Sequence, residues 1–455
     1  MKKSKKVLAL LVCIFMTTGT LTACLSDNPG EGGSESGENA TPVVSNSGDN
    51  KEVNKSPEDY KGEIVFWHFN SSEGPKISQA FNKLYPNVKV KTTIVSDRDS
   101  QYQNKLTAAL RAGVGVPDVF VAESAFAKRL VEMPGAFLDL TERAKDVASK
   151  MIPFTVQVGT DKNGALKALS HQAAPGAIAY KKTVAKKYLG TDDPKAIAEM
   201  LSSEEKMLET AKILKEKSGG KVALFPTWEE PKKMYLGARS KGWVVDDKLN
   251  IDQKVMELID FSKNLRDNKY ESGLTQWTPG WSSAIAANET SMVWALPPWG
   301  VPWIINSNDK TAANGGKWGI TNPPFKYFWG GTWMGIYANS QNQDIAWEFV
   351  KFFTANKDTV KKWALDNQDF PNNLEIIAEG SPSDSNIVGA NLFKFYEPFV
   401  KDINGEVLTQ YDDIIERTFD DVMVSYLAGK YKTKDDMVKA FKDKVKTNLK
   451  EIQVD

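Results

Sequence analysis

The chain has 455 residues, and its 58 basic and 58 acidic side chains give a formal net charge of zero. A neutral chain with no basic stripe argues against nucleic acid as its partner. Because Cys13 and Cys24 are the only cysteines, the fold must rest on a hydrophobic core, which a chain of this length can build without disulfides.

The first 23 residues predict an export signal. Four lysines within residues 2–6 precede an apolar run at 7–16 that is too short to span a bilayer. The tetrapeptide LTAC at 21–24 then matches the bacterial lipobox, whose cysteine becomes a diacylated first residue. We therefore expect residues 1–23 to be removed and Cys24 to anchor the protein to the outer face of the cell membrane. The alternative is an ordinary cleavage site with an incidental cysteine.

Residues 24–58 predict a disordered tether. The segment is rich in Gly, Ser, Asn and Pro and nearly free of large apolar residues, so it cannot bury enough surface to fold. Flexible-chain scaling gives it a root-mean-square reach of roughly 30 Å. We expect the folded body to stay near the membrane and yet turn freely.

The body begins with alternating strand and helix signals. Apolar or alternating segments at 63–69, 88–94 and 118–121 predict three strands. Between them, apolar residues recur with helical spacing over 77–84 and 102–110. This β-α-β-α-β order predicts a parallel sheet covered on both faces by helices.

A second body follows, and the chain is long enough for two lobes. Strands are predicted at 177–180, 222–225 and 291–295, and helices at 183–188, 203–218, 252–267 and 344–353.

Tryptophan is concentrated in one stretch that is also rich in Pro and Gly. Such a cluster serves either a bulky local core or a stacking surface for flat ligands. The loop-forming neighbours favour the stacking surface, and the C–H face of a pyranose ring is a flat, half-apolar ligand. Eight of the thirteen tryptophans fall here, at positions 277, 281, 294, 299, 303, 318, 329 and 333.

Five segments of the body follow one another in a recognisable order and spacing. These are IVFWH at 64–68, YQNKLTAALRAGVGVPDVF at 102–120, GAIAYKK at 176–182, PWG at 298–300 and FWGGTWMGIYANSQNQDIAWEFVKFF at 328–353. Together they resemble the extracellular solute-binding proteins of carbohydrate-importing ABC transporters, the large sugar-binding family called family one. The resemblance covers about residue 63 to the C-terminus.

The resemblance implies an α/β, two-lobed fold of the type II periplasmic binding proteins. Each lobe is expected to be a mostly parallel sheet flanked by helices, with the ligand in a cleft between the lobes. It places lobe 1 at 59–170 with 323–354, and lobe 2 at 171–322 with 355–455. It also implies a mechanism, in which a monomer closes around an oligosaccharide without cofactor or metal and presents it to the permease of an importer.

The site prediction combines the resemblance with the rule that ligands sit beyond the carboxyl ends of strands. Platforms on both lobes would let a sugar bridge them, and many platforms suggest an oligosaccharide, with a β-linked glucan suiting flat indoles. On physical grounds a place in the core and a place in the cleft are equally favoured for Trp299 and for Trp333. The resemblance favours the cleft for both. The predicted ligand-binding residues are Trp299, Trp333, Glu123, Trp228, Trp281, Trp329, Trp303, Gln172, Asn70 and Gly331.

Structural roles compete with several of these assignments. Trp67 alternates with apolar neighbours in a predicted buried strand and is expected in the core, as are Trp318, Trp347 and Trp363. Glu123 could simply cap the helix that starts near Ser124. Asp97 and Asp99 could be turn formers, and His171 lies where it could touch a ligand.

Enzymatic functions are less well supported. The chain has only two histidines, His68 and His171, which leaves little for a metal site or a Ser-His-Asp triad. Two carboxylates suffice for a glycosidase, so a surface-anchored glycoside hydrolase with a tryptophan-lined cleft stays open as the alternative. A passive surface adhesin is the second alternative.

Overall fold

The computed structural model describes residues 55–314 and 316–455. The predicted signal peptide, Cys24 and nearly all of the predicted tether lie outside the described residues. The ten strands of the described part are β1 (Gly62–His68), β2 (Val88–Ile94), β3 (Val119–Glu123), β4 (Leu169–Ser170), β5 (Ala177–Lys181), β6 (Val244–Val245), β7 (Lys248–Leu249), β8 (Val293–Leu296), β9 (Trp318–Thr321) and β10 (Thr332–Ile336).

Seventeen α-helices accompany these strands in the described part. They are α1 (Glu73–Leu84), α2 (Gln101–Ala112), α3 (Ser124–Glu132), α4 (Thr141–Ala148), α5 (Pro153–Gly159), α6 (Lys182–Leu189), α7 (Pro194–Met200), α8 (Glu204–Ser218), α9 (Glu229–Gly237), α10 (Gln253–Asp267), α11 (Pro279–Ala286), α12 (Gln343–Thr354), α13 (Lys357–Asn367), α14 (Leu374–Glu379), α15 (Leu392–Tyr396), α16 (Asp412–Leu427) and α17 (Lys434–Asn448). A π-helical turn, Val301–Asn306, follows β8.

The first sheet has the strand order β2-β1-β3-β10-β4. β1 runs parallel to both β2 and β3, as the β-α-β-α-β pattern predicted. β10 enters from much later in the chain and pairs antiparallel with β3 and β4. The sheet is therefore mixed, and its parallel half directs the carboxyl ends of β1 and β3 to one edge.

The second sheet differs from the prediction of a mostly parallel arrangement. Its order is β8-β5-β9, and both neighbours run antiparallel to β5. The segment predicted as a strand at 222–225 makes only single parallel bridges, Ala223 to Ser291 and Phe225 to Glu271. Two parallel strands must be joined by a crossover connection, usually a helix. In the second sheet the two extended pairings, of β8 and of β9 with β5, are antiparallel instead.

The first sheet has one core, and the second sheet has a separate core on each of its faces. Apolar residues of α1, α2, α3 and α12 pack with the first sheet, and those of α8, α9, α10, α16 and α17 pack with β5 and β8. The chain passes from one sheet to the other between β4 and β5 and again between β9 and β10. These passages frame the gap between the two halves.

Two tryptophans of the rich stretch surround a buried lysine. The Lys181 ammonium lies 4.7 Å from the centroid of Trp294 and 5.7 Å from that of Trp318. It also donates to the carbonyl oxygen of Ala284 at 2.7 Å, near the end of α11. Trp318 is in the core as predicted, and these indoles stabilise a buried cation.

Charged side chains connect the two halves beside the gap. Arg129 of α3 pairs with Asp413 of α16 at 3.0 Å, and Arg417 of α16 donates to the Ser100 hydroxyl at 3.2 Å. α3 packs in the first core and α16 in the second. These polar contacts therefore hold the halves together at the rim.

Candidate functional site

A cleft of about 610 Å³ lies between the two halves of the molecule. It opens beyond the carboxyl ends of β1 and β3, where the strand-end rule placed the ligand. Segments of the first half, of the tryptophan-rich stretch and of the region after α12 all contribute. The lining residues are Phe69, Asn70, Ser72, Glu73, Lys76, Asp97, Glu123, His171, Gln172, Trp277, Trp299, Trp303, Trp329, Gly330, Gly331, Thr332, Trp363, Asn367 and Asp369.

Three indoles form an aromatic wall on one side of the cleft. Trp277 and Trp299 are nearly parallel, with 10° between their planes and 6.5 Å between their centroids. Trp329 meets Trp299 edge to face at 5.0 Å. Trp277 is 63% exposed and Trp303 nearby is 52% exposed. Exposed indoles held in fixed orientations can stack on a flat ligand.

The backbone around the aromatic wall fixes these orientations. The Trp299 indole N–H donates to the Trp329 carbonyl oxygen at 2.9 Å. Gly330 has a φ of +83°, and a Cβ there would lie 2.7 Å from the Trp299 indole nitrogen, so only glycine fits beside this ring. Trp277 itself has a φ of +65°, a costly conformation for a bulky residue that is concentrated at functional sites.

Polar side chains at strand ends also line the cleft. Asn70 follows β1, and its side-chain oxygen accepts from the backbone N–H groups of Ser72 at 2.9 Å and Glu73 at 3.0 Å. Asn70 therefore shapes the entry to α1 as well as lining the cleft. Asp97 also lines the cleft, while its carbonyl oxygen accepts from Ser100 in a turn.

Glu123 combines the two roles considered for it. Its carboxylate accepts from the backbone N–H of Ala125 at 2.9 Å and from the Ser124 hydroxyl at 2.7 Å, so it caps α3. It also lines the cleft. Burial raises the pKa of Glu123, and the hydrogen bonds from Ser124 and Ala125 oppose that rise.

An acid–histidine cluster closes one end of the cleft. Glu73 Oε1 lies 3.5 Å from His171 Nε2 and 3.9 Å from His68 Nε2. His68 Nδ1 accepts from the backbone N–H of Asn70 at 2.9 Å, so the neutral ring carries its proton on Nε2, facing Glu73. Burial raises the pKa of Glu73 to about 8, and the nearby Asp369 adds to that rise. Burial lowers the pKa of both histidines to about 3.

Gln172 and Asp369 complete this end of the cleft. With its amide nitrogen turned towards Asp369, Gln172 donates to both carboxylate oxygens, at 3.2 Å to Oδ1. The backbone N–H of Phe370 donates to the same Oδ1 at 2.8 Å. Burial raises the pKa of Asp369 to about 7. Trp363 lies beside this cluster, edge to face with His171 at 5.9 Å.

Seven of the ten predicted ligand-binding residues line the cleft. They are Trp299, Trp329, Trp303, Glu123, Gln172, Asn70 and Gly331.

Three predicted platforms are instead buried, and their assignment to the cleft is wrong. Trp333 is 1% exposed and donates to the Thr155 carbonyl oxygen at 2.8 Å, because alternation along β10 turns it inward while Thr332 lines the cleft. Trp281 donates to Glu230 at 3.0 Å within the core. Trp228 packs on Phe419, 6.3 Å between centroids, in the second core.

The sequence prediction missed other lining residues. Trp277 belongs to the tryptophan-rich stretch but precedes Thr278, the N-cap residue of α11, whereas Trp281 lies within that helix. The Thr278-Pro279 helix-start signal could have shown that Trp277 lies on a loop and Trp281 on a helix. Trp363 was assigned to the core but is partly buried at the cleft. Asp369 follows α13 on a loop and carries no sequence signal. Trp67 and Trp347 are in the core as predicted.

The described residues contain no group of three or more His, Cys, Asp or Glu side chains placed to hold a metal ion. Within the same ranges, no helix has the length and apolar character needed to cross a membrane.

Comparison with known proteins gives one family. The family described as bacterial extracellular solute-binding protein matches residues 76–387 of the chain. No curated protein matches the sequence.

Solved structures share the fold at low sequence identity. An extracellular solute-binding protein family 1 structure has a TM-score of 0.74 at 18% identity, covering 84% of this chain and 99% of that one. The galacto-N-biose-/lacto-N-biose I-binding protein of the Bifidobacterium longum ABC transporter, in complex with lacto-N-biose, has a TM-score of 0.70 at 19% identity, covering 87% and 99%. The ABC transporter associated binding protein from B. animalis subsp. lactis, in complex with beta-1,6-galactobiose, has a TM-score of 0.67 at 18% identity, covering 85% and 98%.

Proposed function

The chain belongs to the bacterial extracellular solute-binding proteins, and we propose that its solute is an oligosaccharide, captured between two lobes for delivery to an ABC-type importer. The observation that carries this proposal is the cleft itself. Its lining combines the aromatic wall of Trp277, Trp299 and Trp329 with the polar side chains of Asn70 and Glu123. A sugar has the same two-sided character, with an apolar C–H face and a belt of hydroxyl groups.

The energetics fit a saccharide of more than one ring. Burying one pyranose face of ~60 Å² contributes about 1.5 kcal/mol at the usual area coefficient. A hydrogen bond to a charged group contributes about 1.5–3 kcal/mol. Three indole faces and several such hydrogen bonds give a binding free energy in the micromolar range after the entropy cost of association is subtracted. A cavity of about 610 Å³ also exceeds the volume of one pyranose ring.

Delivery to an importer completes the proposal. Two of the similar structures are named as binding proteins of ABC transporters and were solved with disaccharides. We propose the same partnership here, with lobe 1 at 59–170 and 323–354, lobe 2 at 171–322 and 355–455, and closure as a monomer. The lipid anchor on Cys24 and the tether at 24–58 belong to this proposal, because they would keep the receptor beside its permease.

Enzymatic alternatives lose their support. The family consists of solute-binding proteins, so the chain is a binding protein and not an enzyme. The glycoside hydrolase considered from the sequence is therefore set aside.

A ligand titration tests the proposal. Residues 25–455, which lack the lipidation site, would be titrated with α- and β-linked gluco-, galacto-, xylo- and manno-oligosaccharides while tryptophan fluorescence is followed. We expect a saturable change with one series, a smaller radius of gyration in small-angle scattering, and recovery of the intact sugar by chromatography. The absence of a saturable response to every series would contradict the proposal, and shortened products would restore the hydrolase.

A further inference from the structure

We propose that the end of the cleft built by Glu73, His171 and Asp369 receives a protonated amine of the ligand, so that the captured carbohydrate is an amino sugar. This inference rests on the proposed function and names the substrate class of the same site.

The charges that line the cleft favour a cation. Four carboxylates contribute to its wall, from Glu73, Asp97, Glu123 and Asp369, and among the lining residues the one ammonium group is that of Lys76. Lys76 is exposed on α1, where solvent screens its charge. When Glu73 and Asp369 are ionised, the lining has an excess of negative charge, which attracts a positively charged ligand.

Three polar atoms at this end of the cleft lack hydrogen-bond partners. Glu73 Oε1, His68 Nε2 and His171 Nε2 are all buried and make no hydrogen bond. His171 is 3% exposed and lines the cleft, as does Glu73, whose side chain is 15% exposed. Buried polar atoms are normally hydrogen-bonded, so an unsatisfied set at the end of a binding cleft indicates a ligand group that completes it.

An ammonium group has the donors that this cluster needs. It carries three N–H donors and no acceptor, and the carboxylate oxygens of Glu73 and Asp369 at this end of the cleft can accept from it. The Trp363 ring at the same end can add a cation–π contact. A hydroxyl group offers a single donor and carries no charge to pair with the carboxylates.

Protonation of Glu73 and Asp369 makes ligand binding at this end of the cleft dependent on pH. Burial raises the pKa of Glu73 to about 8 and that of Asp369 to about 7, so without ligand much of this negative charge is neutralised by protons near neutral pH. The groups facing Glu73 are Asp369, the two histidines, whose pKa burial lowers to about 3, and Lys76 on its own helix. A bound ammonium would lower both carboxyl pKa values. Binding should therefore release protons from the carboxyl groups, and affinity should rise from about pH 6 towards pH 7 and fall once the sugar amine, with a pKa of about 8, loses its proton.

Matched sugars test the assignment. Glucose with glucosamine, galactose with galactosamine and mannose with mannosamine differ only by a hydroxyl or an ammonium at one position. We expect the amine of at least one pair to bind residues 25–455 about tenfold more tightly than its neutral partner, as one charge-assisted hydrogen bond implies. Isothermal titration in buffers of different ionisation enthalpy should show proton release for the amine alone.

Variants locate the effect. Glu73→Gln should abolish the amine preference and the proton release, and Asp369→Asn should reduce both. Glu63→Gln, on β1 and paired with Lys89 and Lys91 outside the cleft, is the matched control and should change neither.

The outcomes separate this inference from the proposed function. Equal affinity within all three pairs, or no binding of any amine, overturns the inference, and neutral oligosaccharides that still bind leave the proposed function intact. An amine preference that survives in Glu73→Gln also overturns the assignment to this end of the cleft. Failure of all neutral and amino sugars contradicts both.

Discussion

Two sets of tryptophans from one stretch of sequence have opposite fates. Trp277, Trp299 and Trp329 line the cleft, whereas Trp281 and Trp333 are buried. The buried pair donate their indole N–H groups to Glu230 and to the Thr155 carbonyl oxygen. A dense run of tryptophan therefore supplies both a core and a binding surface, and backbone direction decides which residue does which.

The buried class should show itself in stability. Trp333→Ala is expected to lower the free energy of unfolding by about 3–5 kcal/mol, because it leaves a cavity and an unpaired Thr155 carbonyl oxygen. Chemical denaturation would measure this, with ligand affinity tested at a temperature where the variant is folded. A stable Trp333→Ala protein with lost affinity would reverse the assignment of Trp333 to the core.

The exposed class should show itself in affinity. Trp277→Ala is expected to weaken oligosaccharide binding more than about tenfold, since it removes a platform worth about 1.5 kcal/mol. Because Trp277 is 63% exposed, the melting temperature of the variant protein should change little. Fluorescence titration and a thermal melt measure the two effects, and Trp281→Ala is the matched control that should lose stability first.

Trp363 lies between the two classes and sharpens the comparison. It packs edge to face on Phe353 at 5.0 Å and also lines the cleft. Trp363→Ala should therefore lose both affinity, by severalfold, and stability, by about 1–2 kcal/mol. Calorimetry would measure the affinity of this variant and chemical denaturation its stability. A loss of affinity alone would place Trp363 with the cleft-lining tryptophans, and a loss of stability alone would place it with the buried ones.

The smallest expected effect concerns the backbone under the aromatic wall. Gly330→Ala places a Cβ 2.7 Å from the Trp299 indole nitrogen at a φ of +83°, which should cost about 1 kcal/mol of stability and displace the ring. Sugar affinity should fall a few-fold. Gly113→Ala is the matched control, because Gly113 also has a positive φ but has open space around it. It should cause backbone strain without displacing the Trp299 ring, so equal losses of affinity in the two variants would rule out ring displacement as the cause.

Periodicity predicted the fold better than it predicted the site. The strand and helix signals of the first lobe were correct because alternation and helical spacing are local properties, visible in β1, α1 and β2. Strand ends then placed Asn70 and Glu123 at the cleft. The orientation of Trp333 and the antiparallel pairing of β8 and β9 with β5 depend on register set by distant segments. The approach of Asp369 to Glu73 likewise joins residues far apart in sequence, which no local pattern contains.

The contacts at the rim bear on how long a ligand stays. The Arg129–Asp413 pair and the hydrogen bond from Arg417 to Ser100 bridge α3 and α16 beside the cleft. The proposed opening of the lobes would break them, and partly exposed charge pairs weaken as ionic strength rises. Dissolved salt should therefore shorten the residence time of a captured sugar, so a cell in saline surroundings would release cargo sooner.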